Sequence, residues 1–108
     1  MSKINLTYDK VDYSLEYSRQ SVRTMEGQGF VLDEITSKPM TMLPMLFSGA
    51  FIKNHKGVKR STIDEIFDNI SDKGALMQAL VELYAETLSV LTEDSAENEG
   101  NVVWAKVN

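Results

Sequence analysis

The feature that most constrains the fold is a double row of apolar side chains in residues 73–92. Within each row the residues lie three, four or eight positions apart, spacings that return to the same side of an α-helix. One row is Leu76, Leu80, Leu83 and Leu91, and the other is Met77, Val81, Tyr84 and Leu88. A helix at the edge of a monomer needs a single apolar face, and a small domain offers few neighbours to cover two. We interpret the second row as an interface with another chain, with burial in the core as the alternative.

Length and composition restrict the architecture and the chemistry. A chain of 108 residues supports one hydrophobic core, so we expect a single globular domain over residues 1–92. Hydrophobic residues make up 43% and charged residues 25%, which is typical of a globular protein. The absence of cysteine excludes disulfides, thiolate chemistry and cysteine-based metal sites. The first residues lack the apolar stretch of a signal peptide, and no run of about 18 apolar residues occurs, so we expect a cytoplasmic protein that does not engage a membrane.

The other segments predict an α+β fold that is predominantly helical. Apolar and polar residues alternate on both sides of Asp9-Lys10-Val11-Asp12, which predicts a β-hairpin over residues 4–17. An isolated hairpin is marginal in water, so its apolar face must pack on a small bundle of about four helices. The helical patterns cover about residues 19–27, 38–54, 62–70 and 73–92.

Capping residues and prolines indicate where the helices begin. Ser18 is a good N-cap for the first helix, and Ser61 with Asp64 forms a plausible cap for the third. Pro44 lacks the backbone N–H that a helix interior needs. The second helix therefore either starts near Thr41 or kinks at Pro44, and the sequence does not choose between the two.

The charge is unevenly distributed. The chain has a net charge of -5, and four carboxylates fall in a segment without lysine or arginine: Glu93, Asp94, Glu97 and Glu99. We expect residues 93–108 to form a flexible acidic tail. Its apolar end, which includes Trp104, either folds back on the domain or contacts a partner. A negative chain is repelled by phosphate, so nucleic acid is not an expected partner.

The segment around His55 contains the residues that most resemble a site. Lys53 and Lys56 flank this single histidine, and we expect them to complement the negative end of the second helix on a surface connector. One imidazole without histidine or cysteine co-ligands cannot build a metal site, and no nucleophile with a base is apparent. We expect no catalytic residue, no metal and no cofactor, so the chain is predicted not to be an enzyme.

Two groups of apolar residues are candidates for protein contacts. Met40, Met42 and Met45 cluster at the start of the second helix, where thioethers suit an adaptable binding surface, although core filling is the favoured interpretation. The second row of the last helix, with nearby aromatic residues, is the preferred candidate. The predicted interaction surface is Phe47, Phe51, Met77, Val81, Tyr84, Leu88 and Trp104.

Residues 4–91 resemble a family of phage proteins. The likeness lies in the N-terminal hairpin, in the FSGAF helix that ends in a basic connector, in the short third helix, and in the closing LVELYAETL helix. This pattern is similar to the tail assembly chaperones of long-tailed, siphovirus-like phages and prophages of Gram-positive bacteria.

The resemblance implies a non-catalytic factor of phage tail morphogenesis. Such a chaperone binds the tape measure protein and tail tube subunits in the host cytoplasm, acts as an oligomer, and often exists in a short and a frameshifted longer form. This chain would be the short form. The alternative is a small phage-encoded adaptor or inhibitor that binds a host protein through its acidic tail.

Overall fold

The chain folds into a β-hairpin followed by four helices, which confirms the predicted α+β class. The computed structural model describes residues 3–90 and 104–107. The elements are β1 (Ile4–Tyr8), β2 (Val11–Leu15), α1 (Arg19–Gly27), a 3-10 turn (Leu32–Glu34), α2 (Pro39–Gly49), α3 (Arg60–Asp68) and α4 (Lys73–Ser89). Most of the predicted tail, like Leu91, lies outside the described residues.

The hairpin has a tighter turn than the sequence pattern indicated. β1 and β2 are antiparallel, with Ile4 opposite Leu15 and Tyr8 opposite Val11. The two turn residues, Asp9 and Lys10, have φ angles of 50° and 65°, which is the left-handed region that two-residue hairpin turns require. Val11 and Asp12 therefore belong to β2 rather than to the turn, and the strand ends at Leu15 rather than at residue 17.

α1 begins where its capping residue predicts. The Ser18 side chain accepts a hydrogen bond from the Ser21 N–H at 3.1 Å, and the Ser21 hydroxyl accepts one from the Ser18 N–H at 2.8 Å. This reciprocal capping box satisfies two donors that a helix start would otherwise leave unpaired. Residues 19–27 are helical, as predicted.

α2 does not start near Thr41, the first of the two alternatives left open for Pro44. It begins at Pro39, which suits a first turn, and continues through Pro44. Its N-cap residue, Lys38, makes no side-chain capping hydrogen bond. The helix ends at Gly49 instead of residue 54, because the N–H of Ala50 bonds to the Phe47 carbonyl three residues back.

α3 lies slightly earlier than predicted and is capped differently. It spans Arg60–Asp68 rather than 62–70, and its N-cap is Lys59 without a side-chain hydrogen bond. Ser61 therefore lies inside the helix, and the predicted Ser61 cap is wrong. Asp64 instead pairs with Arg60, with 3.1 Å between Arg60 Nε and Asp64 Oδ1. α4 ends at Ser89, short of the predicted residue 92.

One hydrophobic core joins the hairpin to all four helices. The inward face of the hairpin contributes Tyr13 and Leu15, and α4 contributes Leu80, which is fully buried. Aromatic rings extend this packing. The ring centres of Phe47 and Phe51 are 5.1 Å apart, and those of Tyr84 and Tyr17 are 5.3 Å apart. The core therefore combines aromatic residues from the helical part of the chain with Tyr13 of the hairpin.

The connector after α2 holds the hairpin in place. His55 is half-buried, and its Nε2 accepts a hydrogen bond of 2.8 Å from the Ser14 N–H. Lys53 Nζ lies 2.8 Å from Glu16 Oε2, so it pairs with the hairpin rather than with the end of α2. The expectation of a simple surface connector is therefore corrected, since His55 and Lys53 both bind the β2 segment.

Candidate functional site

Four residues of the predicted interaction surface lie in the core. Phe47, Phe51, Met77 and Tyr84 are 0%, 1%, 6% and 2% exposed. They cannot reach a partner while the fold stays closed, and this part of the predicted surface is corrected. The physical reason is that both rows of α4 find neighbours within the chain: the Tyr84 ring lies against Tyr17 and Phe30.

The other three predicted residues are at least partly exposed. Val81 and Leu88 are half-buried on α4. Leu88 lines a cleft of about 140 Å³ together with Val22 and Arg23 of α1. Trp104 is 81% exposed, at the far end of the chain. The second row of α4 is therefore largely covered by the fold itself.

An apolar groove occurs instead between the first turns of α2 and one face of α3. Its volume is about 590 Å³. Its lining comprises Pro39, Met40, Leu43, Pro44, Arg60, Asp64, Phe67, Asp68 and Lys73. We call it the α2–α3 groove. A second groove of similar size, about 520 Å³, has Ile52 as its only apolar lining residue. Of these two grooves, the α2–α3 groove is the one suited to an apolar partner.

Met40 gives the groove its most accessible apolar contact. The side chain is 90% exposed, whereas Leu43 and Phe67 are half-buried in the groove floor. Phe67 connects this floor to the core, because its ring lies 5.5 Å from the ring of Phe47. A large exposed apolar residue beside a half-buried floor is typical of a binding surface.

The backbone of α2 is unusual at the same place. Pro44 has no N–H, so it cannot donate the helical hydrogen bond to the carbonyl of Met40, four residues earlier. Lys38 does not cap the helix start either. The turn that carries Met40 is therefore held by fewer hydrogen bonds than a regular first turn.

The rim of the groove carries charges of both signs. Arg60 pairs with Asp64, and Lys73 Nζ lies 4.3 Å from the centre of the Phe67 ring, a cation–π contact. An exposed ion pair of this kind contributes roughly 0–1 kcal/mol to stability. Because the rim is mixed, it favours a partner with polar flanks of both signs rather than a strongly charged one.

Among the candidates predicted from the sequence, the methionine cluster lies nearest to this groove. Met40 lies on the surface, Met42 is 4% exposed in the core, and Met45 is half-buried. The favoured core interpretation is thus correct for Met42 but wrong for Met40. Leu43 and Phe67 carried no separate signal, since both fitted the buried row of their own helix.

The titratable groups do not assemble into a reactive centre in the described part of the chain. No group of three or more His, Cys, Asp or Glu residues there could hold a metal ion. Burial raises the pKa of Tyr17, whose hydroxyl donates to the Leu46 carbonyl. The hydrogen bond to Lys53, followed by that to Asn54, lowers the pKa of Glu16. Both shifts arise at contacts that hold the hairpin on the helices.

Comparison with known proteins identifies the family. None of the helices in the described residues has the length and apolar character needed to cross a membrane. No curated protein and no solved structure matches the chain. A family model described as a domain of unknown function, DUF5055, matches residues 1–108. The match extends over the whole sequence, and the chain therefore belongs to the DUF5055 family.

Proposed function

We propose that this protein is a non-catalytic binding module that holds an apolar segment of another protein in the α2–α3 groove. The observation that carries the proposal is the pairing of exposed Met40 with the half-buried floor of Leu43 and Phe67. Such a surface is costly to leave in water, and it is stabilised when a partner covers it.

The shape and charge of the groove favour an amphipathic helix as the bound segment. The floor would take the apolar face of that helix, and Arg60, Asp64, Asp68 and Lys73 would face its polar flanks. Met40 has a flexible, polarizable side chain that fits differently shaped apolar neighbours. A groove of this kind tolerates sequence variation along a long client.

The resemblance to tail assembly chaperones supplies the candidate client. A tape measure protein presents long apolar helices that need cover before the tail tube encloses them. We therefore propose that the protein works in the host cytoplasm as a tail assembly chaperone, in several copies along the tape measure protein and together with tail tube subunits. No nucleic acid or cofactor enters this function.

Met40→Asp tests the groove directly. The residue is exposed, so the substitution should leave the fold intact, while a carboxylate in the apolar contact should weaken binding of a purified tape measure segment about tenfold or more. Isothermal titration calorimetry measures the affinity. Val90→Asp is the matched control, because Val90 is also exposed but lies at the end of α4, outside the groove. Equal affinities for the two variants would overturn the proposal.

The adaptor alternative is favoured by one observation, the exposure of Trp104 at 81%. Removal of residues 93–108 separates the two functions. A chaperone that uses the α2–α3 groove keeps its client after this deletion, whereas an adaptor that uses the acidic tail loses its target.

A further inference from the structure

The two edges of the hairpin differ in how they are covered. Ser14 lies opposite Asn5, and its outward N–H and C=O bind the helical connector: the N–H donates to His55 Nε2, and the carbonyl accepts from Asn54 Nδ2 at 3.2 Å. Further along the same segment, the Glu16 N–H donates to the Ala50 carbonyl at 3.2 Å. The connector therefore covers the outer edge of β2 at Ser14.

The outer edge of β1 is open. In an antiparallel pair, residues alternate between exchanging hydrogen bonds with the opposite strand and directing their N–H and C=O away from it. Tyr8 and Val11 flank the two-residue turn and exchange bonds, so Asn5 and Thr7 are the residues that direct their backbone groups outward. Within residues 3–90 and 104–107, these outward groups have no hydrogen-bond partner.

The open edge borders an apolar cleft. Leu6 and Tyr8 are half-buried and line it together with Ile66, Ile70 and Leu76. The cleft has a volume of about 330 Å³. A strand added to β1 would place its own apolar side chains on the same face of the sheet, beside this cleft. The edge and the cleft therefore fit one partner that alternates apolar and polar residues.

We propose that a second copy of this chain occupies this edge, with the two β1 strands antiparallel across a two-fold axis. The axis passes beside Leu6, so that Asn5 of each copy exchanges hydrogen bonds with Thr7 of the other. The two hairpins then form one four-stranded sheet with a continuous apolar face. This inference is independent of the proposed client groove, which shares none of the residues that line the cleft.

Charge complementarity selects both the occupant and the register. β1 contains no charged residue, and Lys3 precedes it while Asp9 follows it. With the axis at Leu6, Lys3 of each copy lies beside Asp9 of the other copy, so the dimer contains two such pairs. An axis at Asn5 or at Thr7 also aligns the outward backbone groups but places Lys3 opposite Thr7 or Val11. Only the Leu6 register pairs opposite charges.

Thr7→Pro tests whether the edge is used. Proline removes the outward N–H of Thr7 without removing a bond to β2, because Thr7 and Asp12 do not exchange backbone hydrogen bonds. Thr7→Ala is the matched control, since it also loses the side-chain hydrogen bond to Asp12 but keeps the backbone donor. Sedimentation equilibrium should give wild type and Thr7→Ala twice the 12.1 kDa mass of one chain, and Thr7→Pro should dissociate at about tenfold higher concentration or more.

Two further variants test the register and do not depend on the folding of the proline variant. Leu6→Cys introduces the only thiol of the chain at the axis, so oxidation should link two copies, whereas Val11→Cys on β2 should not link them. Lys3→Glu should weaken the dimer more than Lys10→Glu, which changes the net charge equally. A wild-type mass of one chain at all concentrations, or a dimer unaffected by both Thr7→Pro and Lys3→Glu, would overturn the proposal.

Discussion

Tyr17 shows how a single side chain completes the end of a helix. Its hydroxyl donates a hydrogen bond to the carbonyl of Leu46. In a continuing helix the N–H of Ala50 would donate to this carbonyl, but here it bonds to the carbonyl of Phe47 instead. The last carbonyls of a helix need such partners when they are buried. The apolar alternation of the hairpin predicted that Tyr17 faces the core, but the hydrogen bond joins residues 29 positions apart, and no local pattern encodes it.

Replacement of Tyr17 by Phe should lower the free energy of unfolding by about 1–3 kcal/mol, because a buried carbonyl loses its donor. Urea unfolding measures this loss. Tyr8→Phe is the control: its hydroxyl donates to Glu65 at the surface, and its removal should change stability by less than about 0.5 kcal/mol.

The same tyrosine should make the fold sensitive to alkali. Burial raises the pKa of Tyr17 above its ordinary value of 10.0, so ionisation is easier in the unfolded chain. Stability should be unaffected by this group below about pH 10 and should fall as the pH rises further. Tyr17→Phe should show a shallower alkaline fall than wild type, and an unchanged alkaline profile would contradict this explanation.

At the scale of the elements, α1 and α2 approach closely at one glycine. A Cβ atom at Gly49 would lie only 2.3 Å from Sδ of Met25, a residue that is 1% exposed. Met25 belongs to the buried core, so its side chain would have to shift against closely packed neighbours. The absence of a side chain at Gly49 therefore sets the distance between the two helices.

Gly49→Ala should lower the free energy of unfolding by about 1–3 kcal/mol through overpacking. Gly74 provides the opposite case, since nothing lies within 4 Å of a Cβ there and the residue is helical. Gly74→Ala should raise stability by about 0.4–1 kcal/mol, because alanine favours the helix. In thermal unfolding, Gly49→Ala should melt at a lower temperature than wild type and Gly74→Ala at a higher one.

Periodicity was sufficient to predict the elements but not their ends. The hairpin, the four helices and the Ser18 cap all follow from local spacing and local chemistry. The end of α2 at Gly49 is completed by a contact made only after folding, the bond from Tyr17 to Leu46, and the Ser61 pattern did not show that α3 begins at Arg60. A pattern that reads one segment at a time cannot include them.

At the scale of the whole molecule, the hairpin is fixed to the helical connector through charges. Glu16 accepts hydrogen bonds from Lys53 and from Asn54, at 2.8 Å and 2.9 Å. These bonds lower its pKa below the ordinary value of 4.5. Their contribution to stability is present above that value and is lost as the pH falls through the lowered pKa of the folded protein.

Lys53→Gln should therefore make stability less dependent on pH between neutrality and about pH 3. Urea unfolding at several pH values measures the dependence. Lys56→Gln is the control, because it removes the same charge from a lysine that forms no ion pair in the described part of the chain. Equal pH profiles for the two variants would show that the contact with Glu16 is not responsible.

The location of the groove illustrates what a single sequence does not show. Two apolar rows on α4 predicted a surplus of apolar surface, but the fold covers much of that surface, for example with the rings of Tyr17 and Phe30 against Tyr84. The surplus lies instead at the start of α2, where Met40 occupies a position that its own helix does not bury. Which row remains uncovered depends on how the helices pack together, and spacing within one helix does not determine it.

The uncapped, proline-containing start of α2 has a mechanical consequence for the groove. With Lys38 unable to cap and Pro44 unable to donate, one wall of the groove can tilt without breaking a complete hydrogen-bond ladder. α3, on the other side, contains no proline, so its hydrogen-bond ladder lacks this gap. A wall with a gap in its ladder, facing a wall without one, lets a single cleft adjust to apolar side chains of different size.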